Sequence, residues 1–346
     1  MTDQNIRIAI VGATGAVGSV ALQLLLDRDW PAENIVAMAS HRSAGKEIAY
    51  GDATLTVIEA TPDAFEGIAV AFISADSSVS RALAPEAVKR GALVIDDGNA
   101  FRMQPNVPLV IPEVNGADVE WHEGIISIPN CTTTPLAMTL AALHAESPLT
   151  RVIVSTYQAV TGTGAAALQE LNDQTAAIAN GEALKVEVYP HPIAMNVLPQ
   201  VDDFQADGYT NEEHKMINET RKILHLPDLR LSVTCVRVPV PVSHSEAVHA
   251  EFESPISAAR ARELLSAFPG IEVVDDPNAS VYPMPHTSAG VDEVQVGRIR
   301  EDLSHELGLS FWLSCDNLRK GAALNALQIM DEVVTRSRLP GAATRA

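Results

Sequence analysis

The sequence predicts an α/β protein of two domains, a doubly wound parallel domain followed by an α+β domain on a mixed, largely antiparallel sheet. Three observations predict it. A strand, a glycine-rich loop and a helix open the chain, strands and helices then alternate to about residue 130, and the later strands alternate polar with apolar residues. A chain of 346 residues can form two cores, and with 47% hydrophobic but 4% aromatic residues these cores are aliphatic.

The opening unit predicts a dinucleotide site. Residues 7–11 read as a strand, Gly12, Gly15 and Gly18 follow, and residues 20–26 read as a helix. Glycines let the backbone approach a pyrophosphate, and a helix N-terminus attracts its charge. A tight turn that binds no ligand is the alternative that the motif alone leaves open.

The loop after the second strand favours NADP(H) over NAD(H). An NAD-binding domain usually has a carboxylate near this point to hold the ribose hydroxyls. After residues 34–39 this chain instead has Ser40, His41, Arg42 and Ser43, a cation among hydroxyls that suits a 2′-phosphate. The alternative is a solvated basic loop.

The rest of the first domain predicts a parallel sheet with ligands at the carboxyl ends of its strands. Residues 70–74 and 93–96 read as strands, with a helix from 76 to about 90 between them. Arg102 follows the second of these strands and is placed to bind an anion, although its position alone is equally typical of a surface arginine.

Cys131 lies between a predicted strand at residues 124–128 and a helix whose first turn contains Pro135. Thr132, Thr133 or Thr134 can cap that helix. The positive end of a helix dipole favours thiolate over thiol, so the position predicts a nucleophile. The alternative is a small buried hydrophobic residue.

Longer strands dominate the second half of the chain. Strands are expected at 152–160, 231–242, 246–252, 290–300 and 309–315, and helices at 171–180, 211–224 and 316 to about 336. We expect the last helix to pack back on the first domain through Leu318, Ala322, Asn325, Ile329 and Val333. The predicted domains are 1–131 with 316–340, and 132–315, followed by a flexible tail at 341–346.

Composition excludes several functional classes. A net charge of −20 argues against nucleic acid and anionic membranes as partners. The chain has no apolar run of 18 residues and no signal-peptide pattern at its start. Cys131, Cys235 and Cys315 form neither a disulfide framework nor a metal motif, so we expect a reducing, cytoplasmic location and no metal.

The motifs taken together resemble those of the aspartate-semialdehyde dehydrogenase family, from Gly12 to about Gln328. In chain order they are GATGAVG, SxRSAGK, DxxxAFRM, PNC, STYQAV, ETRKI, CVRVPV followed by SH, and DNLRKGAALNA. The resemblance implies a Rossmann-type NADP(H) domain and a C-terminal domain used for homodimerisation. It also implies reversible, NADPH-dependent reductive dephosphorylation of L-4-aspartyl phosphate to L-aspartate 4-semialdehyde through a cysteine thioester, in lysine, threonine, methionine and isoleucine biosynthesis.

The resemblance also implies roles for individual residues. Cys131 is the acylated nucleophile, His244 the acid/base, and Gln158 positions the substrate. The substrate-binding residues are Arg102, Asn130, Glu212, Lys215 and Arg237. The cofactor-binding residues are Gly12, Ala13, Thr14, Gly15, Ala16, Val17, Ser40, His41, Arg42, Ser43, Thr161, Gly162 and Asn317.

The sequence departs from the family pattern at three positions. His41 stands within the SxRS loop, Asp76 and Ser77 replace a Gly-rich turn, and Thr161 stands where Ser is common. A carboxylate at Asp76 would be unfavourable near NADP phosphates unless it is turned away.

The geometry of His244 is unresolved by the sequence. Seven residues separate it from Arg237, which would place the two on opposite sides of an ideal strand, but Pro239 and Pro241 break that strand. His286, in a proline-rich loop, is the alternative histidine.

The charges fit aspartyl phosphate. Arg237 suits its carboxylate, Glu212 its ammonium, and Arg102 with Lys215 its phosphate. Glu212 and Lys215 could instead be an ordinary i,i+3 surface pair. The alternatives are an acyl-phosphate reductase of the N-acetyl-γ-glutamyl-phosphate type, and a non-catalytic NADP-binding protein.

Overall fold

The computed structural model describes residues 6–340, which form two compact units. The first contains residues 6–130 and 322–340, and the second contains residues 131–321. Cys131 and residues 316–321, which the sequence prediction grouped with the first domain, belong to the second unit. The predicted tail at 341–346 lies outside the described residues.

A six-stranded parallel sheet forms the centre of the first unit, in the order β5-β2-β1-β6-β7-β8. The strands are β1 (Ile8–Val11), β2 (Ile35–Ala39), β5 (Ile58–Glu59), β6 (Val70–Ile73), β7 (Leu93–Asp96) and β8 (Ile125–Ser127). The helices of this unit are α1 (Ala16–Leu26), α2 (Ser77–Lys89), α3 (Pro112–Asn115) and α9 (Leu324–Thr335).

Apolar side chains cover both faces of this sheet. Ile8 and Ile10 of β1 belong to one buried cluster, and Ala9 and Val11 belong to the other, as expected for a strand whose side chains alternate. Ile329 of α9 lies in the first cluster. The doubly wound sheet and the returning C-terminal helix are therefore confirmed.

A small hairpin was not predicted. It consists of β3 (Glu47–Tyr50) and β4 (Ala53–Thr56), joined at Gly51 with φ of 57°. Its strands are short and mostly exposed, so the sequence gives only a weak hydrophobic alternation there.

The second unit is built on a mixed six-stranded sheet in the order β10-β9-β11-β14-β13-β12. Its strands are β9 (Leu149–Gln158), β10 (Arg230–Arg237), β11 (His244–Phe252), β12 (Ile271–Val273), β13 (Val294–Glu301) and β14 (Gly308–Cys315). The two outer pairs are parallel and the three inner pairs antiparallel, which confirms the predicted mixed sheet.

The strand β10 ends five residues before the predicted position. Pro239 and Pro241 lack the N–H group that a ladder needs, and the strand stops at Arg237. His244 then begins β11, two residues earlier than expected.

The helices of the second unit are α4 (Thr133–His144), α5 (Ala165–Asn180), α6 (Asn211–Ile223), α7 (Ala258–Ala267) and α8 (Pro285–Ser288). Thr132, one of the three predicted capping residues, is the N-cap residue of α4, although its side chain makes no capping hydrogen bond. The segment after Cys315 opens with a π-helical turn, Arg319–Ala323, before α9 begins. Across residues 6–340, no helix has the length and apolar character needed to cross a membrane.

Candidate active site

Strand register places several predicted site residues in one buried row of the second unit. Arg237 of β10 pairs with Gln158 of β9, and His244 of β11 pairs with Cys315 of β14. Ser245 lies opposite Tyr157, which brings His244 to the level of Gln158. Arg237 is 5% exposed, and Gln158 and His244 are completely buried. Residues far apart in the chain are therefore neighbours.

The connection between β10 and β11 turns Arg237 and His244 toward the same space. A Cβ atom added to Gly162 would lie 2.9 Å from Nη1 of Arg237 and 3.0 Å from Nε2 of His244. Ser243 has a φ of 77°, and its N–H donates to Oδ1 of Asn317 at 2.9 Å. The positive φ of Ser243 changes the direction of the chain after Pro239 and Pro241. Arg237 and His244 therefore do not follow the side-chain alternation of a regular strand.

His244 is a neutral imidazole. Burial, followed by the nearby Arg237 charge, lowers the pKa of His244 to about 3. Nδ1 accepts the N–H of Ala159 at 2.9 Å, so the ring proton of the neutral form is on Nε2. Nε2 is buried and has no hydrogen-bond partner among residues 6–340. The ring can therefore donate to an oxygen that develops negative charge.

Glu212 is an ionised carboxylate beside this row. Its Oε1 accepts from Nε2 of Gln158 at 3.0 Å, and its Oε2 lies 3.1 Å from Nζ of Lys215. Burial alone would raise the pKa of Glu212, but Lys215, Gln158 and Arg237 together hold that pKa below its ordinary value. Glu212 and Lys215 do form the i,i+3 ion pair of the alternative interpretation, but Glu212 is buried, so the pair does not lie on an exposed surface.

Lys215 and Gln158 are held in place by further polar groups. Nζ of Lys215 also donates to Asp202 at 2.8 Å, and the two carboxylates raise the pKa of Lys215 against the effect of burial. Oε1 of Gln158 accepts the hydroxyl of Thr156 at 2.9 Å. The amide of Gln158 is thus fixed with its donor end toward Glu212.

Cys131 is the only partly exposed residue among the three cysteines. It precedes α4 by two residues, near the positive end of that helix. A Cβ atom on Gly321 would lie 3.1 Å from Cβ of Cys131, so a glycine there permits the close approach. Burial, Asp316 and Cys131 all contribute to raising the pKa of Cys315, and burial raises the pKa of Cys235. Those two thiols are poor nucleophiles.

Thr161 and Asn317 form a buried polar pair next to the row. The Thr161 hydroxyl accepts a hydrogen bond from Nδ2 of Asn317 at 3.2 Å and donates one to Oδ1 of the same side chain at 3.3 Å. Since Oδ1 of Asn317 also binds Ser243, one side chain ties together the turn after β9, the start of β11 and the segment after β14.

Arg102 of the first unit is buried beside an acidic residue. Its Nη2 donates to the Asp97 carbonyl at 2.7 Å and lies 4.0 Å from Oδ1 of Asp97, whose Oδ2 accepts from Ser74 at 2.8 Å. Burial raises the pKa of Asp97 to about 7, although Arg102 and Ser74 oppose the shift. Near neutral pH the carboxyl is partly protonated, which weakens its competition with an anion for Arg102.

The glycine loop of the first unit is closely packed. Gly12 has φ of 90°, and a Cβ there would lie 2.2 Å from the Ser74 carbonyl oxygen. On Gly18 a Cβ would lie 2.2 Å from the Gly12 carbonyl oxygen. Gly15 is the N-cap of α1. These features fit a backbone that receives a pyrophosphate at a helix N-terminus.

The loop at residues 40–43 contains a short 3-10 helix, His41–Ser43, in which Arg42 is exposed. Nδ1 of His41 lies 3.3 Å from a carboxylate oxygen of Glu59, which β5 brings beside β2. Residues 40–43 contain no carboxylate, but the pairing of β5 with β2 brings the Glu59 carboxylate next to them. Asp76, at the start of α2, is exposed.

Family models match both halves of the chain. Residues 7–122 match the semialdehyde dehydrogenase NAD binding domain, and residues 140–320 match the semialdehyde dehydrogenase dimerisation domain. The aspartate-semialdehyde dehydrogenase of Bacillus subtilis is 47% identical over 338 residues, covering 95% of this chain and 98% of the relative. The chain belongs to the aspartate-semialdehyde dehydrogenase family. The enzyme of that name from Aquifex aeolicus is also 47% identical, with the same two coverages.

Solved structures of the aspartate-semialdehyde dehydrogenase family have the same fold. Aspartate semialdehyde dehydrogenase II of Vibrio cholerae, complexed with ASA, superposes with a TM-score of 0.92 at 38% identity, covering 95% of this chain and 98% of that one. The Candida albicans enzyme, crystallised with NADP, gives a TM-score of 0.75 at 23% identity and covers 97% and 100%. The resemblance inferred from the motifs is thereby confirmed, and the two alternative functions are not favoured.

Six of the predicted site residues belong to the second unit, namely Cys131, Gln158, Glu212, Lys215, Arg237 and His244. Arg102 and Asn130 lie in the first unit. The alternative histidine, His286, is exposed on α8. The individual roles of these residues are still predictions.

Sequence reasoning missed two residues of the second unit that position predicted site residues. Thr156 orients Gln158, and Ser243 redirects the chain before His244. For Thr156 a signal was available, because it shares a strand face with Gln158 two residues away. Nothing in the sequence pattern indicated a positive φ at Ser243.

Proposed function

We propose that this protein catalyses the NADPH-dependent reductive dephosphorylation of L-4-aspartyl phosphate to L-aspartate 4-semialdehyde, and the reverse reaction. The observation that supports it best is the buried row of Arg237, Gln158 and His244, with the ionised Glu212 beside it. A cation, an anion and an N–H donor are there fixed by the fold. The named relatives in several bacteria agree with this assignment.

Substrate recognition follows from charge. Arg237 presents a buried guanidinium whose Nε has no hydrogen-bond partner among residues 6–340, and we assign it to the α-carboxylate. Glu212 is ionised and buried, and we assign it to the α-ammonium. Lys215 and Arg102, with Asn130, are assigned to the acyl phosphate. An aldehyde that lacks the α-carboxylate would leave the buried Arg237 guanidinium without a carboxylate partner.

Cys131 is assigned the nucleophilic step. Its sulfur attacks the acyl phosphate carbonyl, the carbon–sulfur bond forms, and the carbon–oxygen bond to phosphate breaks, which gives an aspartyl thioester. The neutral His244 donates its Nε2 hydrogen toward the oxygen that gains charge, and backbone N–H groups at the start of α4 are a second source of donors.

The cofactor-binding residues proposed in the first unit are the glycine loop from Gly12 to Val17 and the loop from Ser40 to Ser43. When bound, the nicotinamide supplies hydride to the thioester in one direction and accepts it in the other. The proposed contacts in the second unit are Thr161, Gly162 and Asn317. We propose NADP(H) rather than NAD(H), because Arg42 is an exposed cation in the loop after β2.

We also propose a homodimer. It is supported by the match of residues 140–320 to a dimerisation domain. A cytoplasmic location is part of the same proposal.

The test is NADPH formation from L-aspartate 4-semialdehyde, with and without inorganic phosphate. We expect turnover that depends on phosphate, and an acyl adduct on the Cys131 peptide after acid quench and mass spectrometry. Cys131→Ala should abolish turnover while NADPH affinity, measured by fluorescence titration, is retained. Cys235→Ala is the matched control, because that thiol is buried. A Cys131→Ala variant with half of the normal kcat would refute the nucleophile assignment.

A further inference from the structure

The segment between α5 and α6 contains a loop, residues 185–198, that two buried side chains of α5 hold in place. Oε2 of Glu170 accepts the N–H groups of Glu187 and Val188 at 2.9 and 2.5 Å. Glu170 is 7% exposed. A buried acceptor with two backbone donors fixes the course of the loop at this point.

Gln174, one turn further along α5, holds the next part of the same loop. Its Oε1 accepts the N–H groups of Ile193 and Ala194 at 2.9 and 3.0 Å, and its Nε2 donates to the Lys185 carbonyl at 2.7 Å. The side chain is 1% exposed. Glu170 and Gln174 together bind five backbone groups of the loop.

The far end of the loop is attached to Arg237 itself. Leu198 and Arg237 exchange two backbone hydrogen bonds, of 2.9 and 2.8 Å. Ile193, Ala194 and Leu198 pack in a small apolar cluster with residues of α5 and of the turn after β9. The loop is therefore anchored at both ends and has an apolar underside.

Tyr189 projects from this loop toward the guanidinium of Arg237. The Cζ atom of Arg237 lies 6.0 Å from the centroid of the Tyr189 ring, at the outer limit of a cation–π contact. The Tyr189 hydroxyl donates to Thr163 at 3.0 Å, and Nη1 of Arg237 donates to the Ala159 carbonyl at 2.8 Å. The guanidinium is therefore held by the hydrogen bond to Ala159, and the Tyr189 ring lies within cation–π range of it.

We propose that Tyr189 is a positioning residue for the substrate α-carboxylate, acting through Arg237, and that Glu170 and Gln174 set its ring by binding the loop backbone. This inference rests on the proposed function, because it takes Arg237 as the group that binds the carboxylate. A guanidinium held in one plane loses less freedom when a carboxylate binds to it. Removal of the ring then weakens carboxylate recognition without touching the thiol chemistry.

The experiment compares two aldehydes in the oxidative, phosphate-dependent direction. One is L-aspartate 4-semialdehyde, and the other is 3-aminopropanal, which lacks the α-carboxylate. Tyr189→Leu should lower kcat/KM for the semialdehyde by about two- to fivefold, the range of a partly exposed cation–π contact. It should leave kcat/KM for 3-aminopropanal and the KM for phosphate unchanged. Tyr189→Phe retains the ring and should keep the preference of the unaltered enzyme for the semialdehyde over 3-aminopropanal.

Tyr209→Leu is the matched control, since it removes another partly buried tyrosine, whose ring is tilted against His214, and it should leave the ratio of the two kcat/KM values unchanged. An equal loss for both aldehydes would show that Tyr189 is merely structural, and no loss for either would remove its role; both results overturn the proposal. Failure of the proposed function is distinguishable, because the unaltered enzyme would then not turn over the semialdehyde at all.

The part played by α5 is tested with Glu170→Ala. The amides of Glu187 and Val188 then lack their acceptor, so hydrogen exchange in the loop should accelerate. The preference for the semialdehyde over 3-aminopropanal should fall as it does in Tyr189→Leu. Faster hydrogen exchange with an unchanged preference for the semialdehyde would overturn the proposal that Glu170 fixes the position of the Tyr189 ring.

Discussion

Gly162 is the residue on which the convergence of Arg237 and His244 depends. Its α-carbon faces both Nη1 of Arg237 and Nε2 of His244, and any side chain would enter the space between them. Neither neighbour can retreat easily, because Arg237 is bound to Ala159 through Nη1 and His244 is held by the Ala159 N–H. A requirement for glycine here is steric rather than conformational.

We therefore expect Gly162→Ala to lower kcat/KM for the semialdehyde at least about tenfold. The methyl group would lie 3.0 Å or less from a nitrogen of Arg237 and a nitrogen of His244, and would therefore displace the two side chains that we have proposed act on the substrate. Steady-state kinetics measures the effect. Gly164→Ala is the control for effects on folding, since an alanine there would have the unfavourable φ of 111° but its Cβ would meet none of the non-adjacent residues between 6 and 340 within 4 Å. Wild-type kinetics in Gly162→Ala would contradict the proposed crowding.

At the scale of single elements, local patterns predicted most of the fold. The glycine loop, β1 and α1 follow one another within 20 residues, so their order is readable from the sequence. The placement of Cys131 before α4 is local in the same way. Such signals need no knowledge of tertiary contacts.

Contacts between distant elements were not predictable in this way. The meeting of Arg237 and His244 depends on a positive φ at Ser243, which a hydrogen bond from Ser243 N–H to Asn317 supports from 74 residues away. Glu59 reaches His41 only because β5 pairs with β2. No periodicity in the sequence carries this information.

The loop at residues 40–43 gives a prediction about the cofactor. Arg42→Ala should weaken NADPH binding much more than NADH binding, because the side chain is assigned to the 2′-phosphate. Fluorescence titration with both nucleotides measures the two affinities. Lys46→Ala, which removes another exposed cation three residues beyond this loop, is the control. If Arg42→Ala left the preference for NADPH intact, the 2′-phosphate assignment would be wrong.

At the scale of the whole molecule, buried ionisable groups make stability depend on pH in opposite directions. His244 has a lowered pKa, so the unfolded chain binds its proton first, and stability is lost as the pH falls from about 6.5 to about 3. Asp96 and Glu246 have raised pKa values because of burial. For those two carboxyls the folded state binds the proton first, and stability is lost as the pH rises.

Asp96 gives the clearest test of this linkage. Its pKa rises from 3.8 to about 6, so its contribution to stability is fully present below about pH 4 and is lost by pH 7. A shift of about two pKa units corresponds to about 3 kcal/mol. Asp96→Asn, which cannot ionise, should therefore raise the free energy of unfolding at pH 8 by up to about 3 kcal/mol and change it little at pH 4.

Urea unfolding at pH 4 and pH 8, followed by circular dichroism, measures the difference. Asp52→Asn is the matched control, because Asp52 is exposed in the turn between β3 and β4. Asparagine has nearly the same shape as aspartate but carries no charge, so the comparison tests the ionisation of the carboxyl rather than its packing. A stabilisation equal at both pH values would mean that Asp96 acts through packing, and the buried carboxyl would then carry no cost of ionisation.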